Sequence, residues 1–267
     1  MAEPDRATAA SEISIERSAS GEVATIRLNR PDKRNALTLG MWRELERAFG
    51  LLEQDAQLRC IVVRGAGGNF AAGADLSEFP TLRGTAAQAE QYGHQMIAAL
   101  TAIRECQHPT IAAIEGLCVG GGLEIALMCD LRLAASDSRY GIPIQKVGVA
   151  MPYPELAILT QILGRPTMLA LLLEGQLHDA TWAERHGLLT RIAADLEGDL
   201  AATIGRILVG SPVSHRHHKL FTWRAADLLQ ALDPEDIRRS YAAVETGDYR
   251  EGIDAFRERR PPKFPGI

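Results

Sequence analysis

Residues Gly120-Gly121-Gly122-Leu123-Glu124 decide how the rest of this chain is read. Three glycines clear the side chains from the entrance of a helix, so a ligand can approach the backbone closely. The first N–H groups of that helix lack internal partners and sit at the positive end of its dipole, which suits them to an oxygen gaining negative charge. Glu124, in the first turn, stands beside that position as a candidate acid or base. The same pattern serves a tightly packed turn whose carboxylate complements the helix dipole, and on its own it does not separate the two readings.

A second glycine-rich segment, Arg64-Gly65-Ala66-Gly67-Gly68-Asn69-Phe70-Ala71-Ala72-Gly73-Ala74-Asp75-Leu76, follows the apolar run Cys60-Ile61-Val62-Val63. The run reads as a buried strand emptying into a loop that exposes its backbone. Upstream lies Leu28-Asn29-Arg30-Pro31-Asp32-Lys33-Arg34-Asn35-Ala36-Leu37. In this order and spacing the segments resemble the enoyl-CoA hydratase/isomerase (crotonase) family, whose signature joins an A-G-x-D loop to a G-G-G-x-E helix start. The resemblance covers nearly the whole chain, ending in Tyr249-Arg250-Glu251-Gly252 and Arg259-Arg260-Pro261-Pro262-Lys263-Phe264. The glycines do not fit a dinucleotide-binding fingerprint.

The resemblance implies that the backbone N–H groups of Ala74 and Gly121 hold a thioester carbonyl oxygen as it becomes an enolate, with Glu124 as the carboxylate beside it. A proton alpha to a thioester is too weakly acidic for a carboxylate unless fixed donors stabilise the enolate. Those donors belong to the backbone, so side-chain substitution cannot delete them, and bulk at Gly121 is expected to block the site instead. Coenzyme A, bound as part of the substrate, would lie against Arg34, Ala36, Leu37, Ala72, Asp75 and Leu76. Lys263 in the tail would reach the coenzyme of a neighbouring subunit. No metal, flavin or nicotinamide is implied. Arg30, Lys33 and Arg34 either face the coenzyme's phosphates or form a solvated turn.

One carboxylate of the family pattern is missing. Many hydratases of the family carry a second glutamate in F-G-x-P-E, twenty residues beyond the first, and here that segment is Tyr140-Gly141-Ile142-Pro143-Ile144. Hydration removes a proton from water and delivers one to the alpha carbon, a task naturally divided between two groups. Ile144 in its place makes the surroundings of Glu124 less polar, which raises its pKa and suits it to donating a proton. Gln145, Lys146, Tyr153, Glu155 and His94 are candidate substitutes, each more commonly a surface or structural polar group. The apolar stretch 147–152 is expected to shape the acyl pocket, and the segment 78–95 to contribute without a decisive feature.

Three activities follow from the resemblance. The first is an enoyl-CoA hydratase-like lyase working with a single catalytic glutamate. The second is an enoyl-CoA isomerase or an acyl-CoA decarboxylase; loss of carbon dioxide removes the need for a base, so one acid suffices. The third is a non-catalytic acyl-CoA-binding protein.

The fold class is α/β. Strands at 13–17 and 23–28 alternate around Ser20-Gly21 as a hairpin, and a helix capped by Thr38 buries Met41, Trp42, Leu45, Ala48, Phe49 and Leu52. Strands at 60–63, 111–114 and 131–134 and helices at 86–105 and 121–128 follow. Two strands recur per helix, unlike the one-to-one alternation of a doubly wound sheet. The resemblance implies a crotonase-like spiral of ββα turns with a C-terminal helical trimerisation region. Residues 1–11 are expected as a flexible tail, 12–200 as the core with the acyl-CoA site, and 201–267 as the helical region, with helices at 213–232, 234–246 and 248–259. Relatives with such helices form trimers, or hexamers made of two trimers, and a homotrimer is expected.

At 267 residues, 46% hydrophobic and 24% charged, the chain is long enough for one substantial core and ordinary for a soluble globular protein. A net charge of -5 with scattered basic residues argues against nucleic acid as a partner. Cys60, Cys106, Cys118 and Cys129 lack metal-ligand spacing and read as reduced and buried. His215-Arg216-His217-His218 reads as a surface helix, not a metal cluster. No apolar stretch near eighteen residues is free of charge, so no membrane span is expected. The first eleven residues carry Glu3, Asp5 and Arg6 without an apolar core, which excludes a secretory signal there and points to a cytoplasmic location.

Overall fold

A computed structural model describes residues 11–148, 150–226 and 246–267. The chain opens with strands β1 (Ile13–Arg17) and β2 (Val23–Leu28), an antiparallel hairpin that turns through Gly21 at φ 77°. Helix α1 (Leu39–Glu53) starts where the Thr38 hydroxyl accepts the Met41 N–H, and it buries the six residues its spacing predicts. Strand β3 (Cys60–Gly65), the short helix α2 (Phe79–Leu82) and the long helix α3 (Ala86–Glu105) come next, the last opened by a Thr85–Gln88 capping box. Then follow β4 (Thr110–Ile114), β5 (Leu117–Val119), α4 (Gly121–Met128), β6 (Leu131–Ala135), β7 (Arg139–Gly141) and α5 (Tyr153–Leu169). The remaining elements are β8 (His178–Asp179), α6 (Ala180–Arg185), β9 (Arg191–Ala193), α7 (Leu196–Leu208), α8 (Pro212–Ala226) and α9 (Gly247–Glu258).

The strands sort into two sheets, β1-β2-β3-β4-β6-β9 and β5-β7-β8. Each turn of the chain gives its first strand to the larger sheet and its second to the smaller: β4 then β5, β6 then β7. The β3 turn does the same, since Ala71 bridges Cys118 in parallel. Pairings from β2 to β9 across the larger sheet are parallel, as is β5 with β7. This is the ββα spiral. The strands β5 and β7 supply the second strand of their turns, but at three residues each they are too short for an alternation to show, and the ranges expected at 111–114 and 131–134 name only the first.

Parallel strands covered on both faces read as continuous apolar runs. Ile61 and Val63 of β3 face the main core with Trp42, Leu45 and Leu123, while Cys60 and Val62 join Ile111, Ala113 and Leu133 in a second cluster closed by Leu196 and Leu200 of α7. Helix α4 is buried at all eight positions, so Glu124 lies inside the protein. The four cysteines are free and buried, and burial pushes the Cys60, Cys106 and Cys129 thiols up to about 12. Among the described residues no cluster of His, Cys, Asp and Glu could hold a metal ion.

The stretch Tyr153–Glu174 is long and apolar enough by composition to cross a membrane. Its helix is broken at Gly164 (φ 74°) with Pro166 following, and its first turn holds the buried Glu155. The 213–232 helix is seen as far as Ala226; its end and residues 234–245 lie outside the described residues. Beyond α9 the tail folds back onto that helix: the Lys263 N–H donates to Glu251 at 2.6 Å and the Gly266 N–H to Asp248 at 2.6 Å.

Candidate active site

The two glycine-rich segments are lashed together by backbone bonds. The Ala71 N–H donates to Leu117 and the Val119 N–H to Ala71, at 2.8 and 3.0 Å; Leu37 donates to Gly73 and Asp75 to Leu37, each at 2.8 Å. Gly120 donates to Gly141 at 2.9 Å. The N–H groups of Ala74 and Gly121 donate to no other backbone carbonyl of the described residues. They are therefore free to hold a ligand oxygen. Gly73 and Gly120 both have positive φ, and a Cβ on Gly120 would stand 3.5 Å from the Gly73 Cα. The positive φ at both positions is what calls for glycine, and a Cβ on Gly73 would press on the Val119 carbonyl oxygen at 3.3 Å.

Bulk at Gly121 would act differently from the sequence expectation. A Cβ there would meet Trp42 Cζ2 at 2.9 Å and Leu37 Cδ1 at 3.0 Å, both fully buried side chains, so it strikes the core beneath the helix start rather than plugging the site.

Ala74, Gly121 and Glu124 line one cavity of about 470 Å³. Phe79, Met96, Leu117, Val119, Ile142, Ile144 and Leu177 give it an apolar wall, and Arg34, Arg83, Lys146 and Glu155 its other charged groups. A larger hollow, about 700 Å³, is lined by residues of α3 and α8 and contains none of the motif residues.

Glu124 and Glu155 are 4% and 3% exposed, and Glu124 Oε2 and Glu155 Oε1 make no hydrogen bond with the described residues. The Glu155 Oε1 lies beside α3, 4.0 Å from where a Cβ on Gly93 would be. Burial raises the pKa of both carboxyls, and the charge of Glu155 raises Glu124 further. The Arg83 guanidinium pulls both down. Arg83 is held over the rings of Phe79 at 4.6 Å and Tyr92 at 5.1 Å. The sequence attributes a raised Glu124 to Ile144; the structure attributes it first to burial and then to a second carboxylate.

Of the other candidate substitutes, Tyr153 is 81% exposed, and His94 and Gln145 are exposed outside the cavity lining. Lys146 lines the cavity from an exposed position. Among the residues expected to touch coenzyme A, Arg34, Ala72 and Leu76 line the cavity, whereas Ala36 and Leu37 do not. The Asp75 carboxylate accepts hydrogen bonds from Ser77 and from Arg30, and the two together hold its pKa low. Arg30 also pairs with Glu12 at 2.9 Å, which makes it an internal tie; Lys33 and Arg34 stay exposed. Lys263 lies on the exposed tail, outside the cavity lining. Sequence reasoning passed over Arg83, whose only local signal was a spacing of four residues from Phe79.

Stacked ββα turns that leave two backbone amides open beside a buried carboxyl define a crotonase-fold α/β protein. A family model described as enoyl-CoA hydratase/isomerase matches residues 18–266. A "Probable enoyl-CoA hydratase" of Mycobacterium tuberculosis is 35% identical over 246 residues, covering 91% of this chain and 94% of its own. A mitochondrial methylglutaconyl-CoA hydratase of Mus musculus is 31% identical over 91% of this chain and 80% of its own. A crystal structure of an enoyl-CoA hydratase/carnithine racemase from Magnetospirillum magneticum superposes with a TM-score of 0.93 at 42% identity, over 97% of each chain. The chain belongs to the enoyl-CoA hydratase/isomerase family.

Proposed function

We propose that this family enzyme acts on acyl-CoA thioesters as an enoyl-CoA hydratase-type lyase. The observation that carries the reading is the pair of open amides, Ala74 and Gly121, in one cavity with Glu124. A thioester oxygen placed between them would receive two fixed donors as negative charge develops on it. Donors of this kind contribute about 3 to 4 kcal/mol each to the transition state. Glu124, kept protonated by burial, would hand its proton to the alpha carbon of the enolate. Backbone around Arg34, Ala36, Leu37, Ala72, Asp75 and Leu76 would carry the coenzyme, which enters with the substrate.

The apolar wall from Phe79 to Leu177 supports a hydrophobic acyl chain. Exposed Leu169, Leu173 and Leu177, at 41, 73 and 47%, support a further chain packing over the end of α5, in keeping with a homotrimer or a hexamer of two trimers. In such an assembly Lys263 would serve a neighbour's coenzyme. Ile144 in the cavity favours the second reading, isomerisation or decarboxylation.

The test is turnover of crotonyl-CoA, a 3-enoyl-CoA and a malonyl-type CoA by the purified protein and by Glu124→Gln. Hydration that fails in Glu124→Gln supports the lyase. Migration or decarboxylation would replace it, and tight binding without turnover would mark an acyl-CoA-binding protein.

A further inference from the structure

We propose that Glu155 is the second catalytic carboxylate of the hydration, reaching the cavity from the first turn of α5 in place of the group that Ile144 does not supply. The inference rests on the hydratase reading above.

The placement of Glu155 is difficult to explain as packing. Its side chain is 3% exposed, lines the same cavity as Glu124 and Ile144, and leaves Oε1 without a hydrogen bond from the described residues. Burying a carboxyl without partners is unfavourable, and native proteins rarely do it without a use. A carboxylate that only complemented the dipole of α5 could do so from solvent, since a first-turn position does not require burial.

Two carboxyls with one proton between them complete the reaction that a single one leaves short. The ionised Glu155 takes a proton from water as the water oxygen bonds to the beta carbon. The electron pair of the carbon–carbon double bond moves through the alpha carbon to the thioester oxygen, held by the Ala74 and Gly121 amides. That pair then returns as Glu124 gives its proton to the alpha carbon. Water has been added, Glu155 has gained a proton and Glu124 has lost one, and transfer between them or through solvent resets the site. Glu124 shares a helical turn with Gly121, whose amide would hold the thioester oxygen, and Glu155 enters the same cavity from another helix. The other charged groups lining the cavity with the pair are Arg83 after α2, Lys146 ahead of α5, and Arg34, and Tyr92 of α3 lies against Arg83.

The test compares wild type, Glu155→Gln, Glu155→Asp, Glu124→Gln and the double variant Ile144→Glu/Glu155→Gln for crotonyl-CoA hydration across pH, with melting temperatures to verify folding. Glu155→Gln should lower kcat by about 10² to 10⁴ with little change in KM, and turn a two-limbed pH profile into one with a single limb. Glu155→Asp should recover part of the rate, and a carboxylate restored at 144 should recover more. A Glu155→Gln protein that hydrates at the wild-type rate overturns the proposal. So does one that is slower but keeps both limbs and is not rescued from position 144, because that is the signature of a structural role. A wild type inactive on every enoyl-CoA overturns the hydratase reading itself, and the assignment with it.

Discussion

Glu155 raises the pKa of Glu124 across the cavity although the two carboxyls belong to different helices, and burial raises both. Each folded-state pKa therefore lies above its unfolded value. Between those values the folded protein binds more protons than the unfolded chain, so stability falls as pH rises through the window. Replacing both with glutamine removes that loss. The melting temperature of Glu124→Gln/Glu155→Gln should differ little from wild type near pH 5 and exceed it increasingly toward pH 9. Each unit of relieved shift is about 1.4 kcal/mol, and 1 kcal/mol moves the melting point by roughly 2 to 4 °C in a chain of this size. Parallel melting curves across pH would show that the carboxyls are not held out of water.

Arg83 is the positive charge that opposes these shifts. Removing it disfavours the ionised carboxylates, so Arg83→Met should move the acidic limb of the hydration profile to higher pH. Its cation–π interactions with Phe79 and Tyr92 contribute about 0.5 to 1 kcal/mol at partly exposed sites, so their removal should have a modest effect on stability. A limb that stays in place or moves down would mean that Arg83 does not act on the pair.

The hairpin, α1, α3 and α4 are readable in the sequence because their signals are local: alternation around Ser20-Gly21, apolar spacing after Thr38, a capping box at Thr85, glycines ahead of Glu124. The open amides of Ala74 and Gly121 are legible through motif order. The pairing of Glu124 with Glu155 is not, because it depends on where α5 docks, and α5 is apolar along most of its length whichever face it turns inward. Among the polar residues at 145, 146, 153 and 155 nothing local marks the one that goes inside. The basic cluster misleads for a similar reason, since the partners of Arg30, namely Glu12 and Asp75, come from distant parts of the chain.

Gly121→Ala tests whether the helix start must stay where it is. The added Cβ would press on Trp42 at 2.9 Å and Leu37 at 3.0 Å, and overpacking of a dense core costs about 1 to 3 kcal/mol. Relief by moving the helix start would carry the Gly121 N–H away from the substrate oxygen. Turnover should drop by about 10² to 10³. Adding Trp42→Phe, which removes the atom nearest the new methyl, should recover both stability and rate in part. Full activity in Gly121→Ala alone would count against a fixed amide at this position.

Asn35 holds the loop that carries Ala74, and its replacement should be felt in the site. The side chain is fully buried, Oδ1 accepts the Arg30 N–H at 2.9 Å, and Nδ2 donates to the carbonyls of Ala66 and Asn69 at 2.9 and 2.7 Å. Its φ of 57° lies in the left-handed region that asparagine tolerates better than most side chains. Asn35→Ala leaves these groups unpaired, at about 1 to 3 kcal/mol for each buried one. Asn35→Asp keeps the shape but turns a charge toward two carbonyl oxygens. That charge is disfavoured in the folded state, so the aspartate pKa should rise there and the variant should lose stability as pH increases through it. Thermal melts at pH 5 and pH 8 should show Asn35→Asp falling further behind wild type at the higher pH, while Asn35→Ala stays behind by a nearly constant amount. Equal deficits for both variants at both pH values would mean that the amide's two donated bonds do not hold this loop.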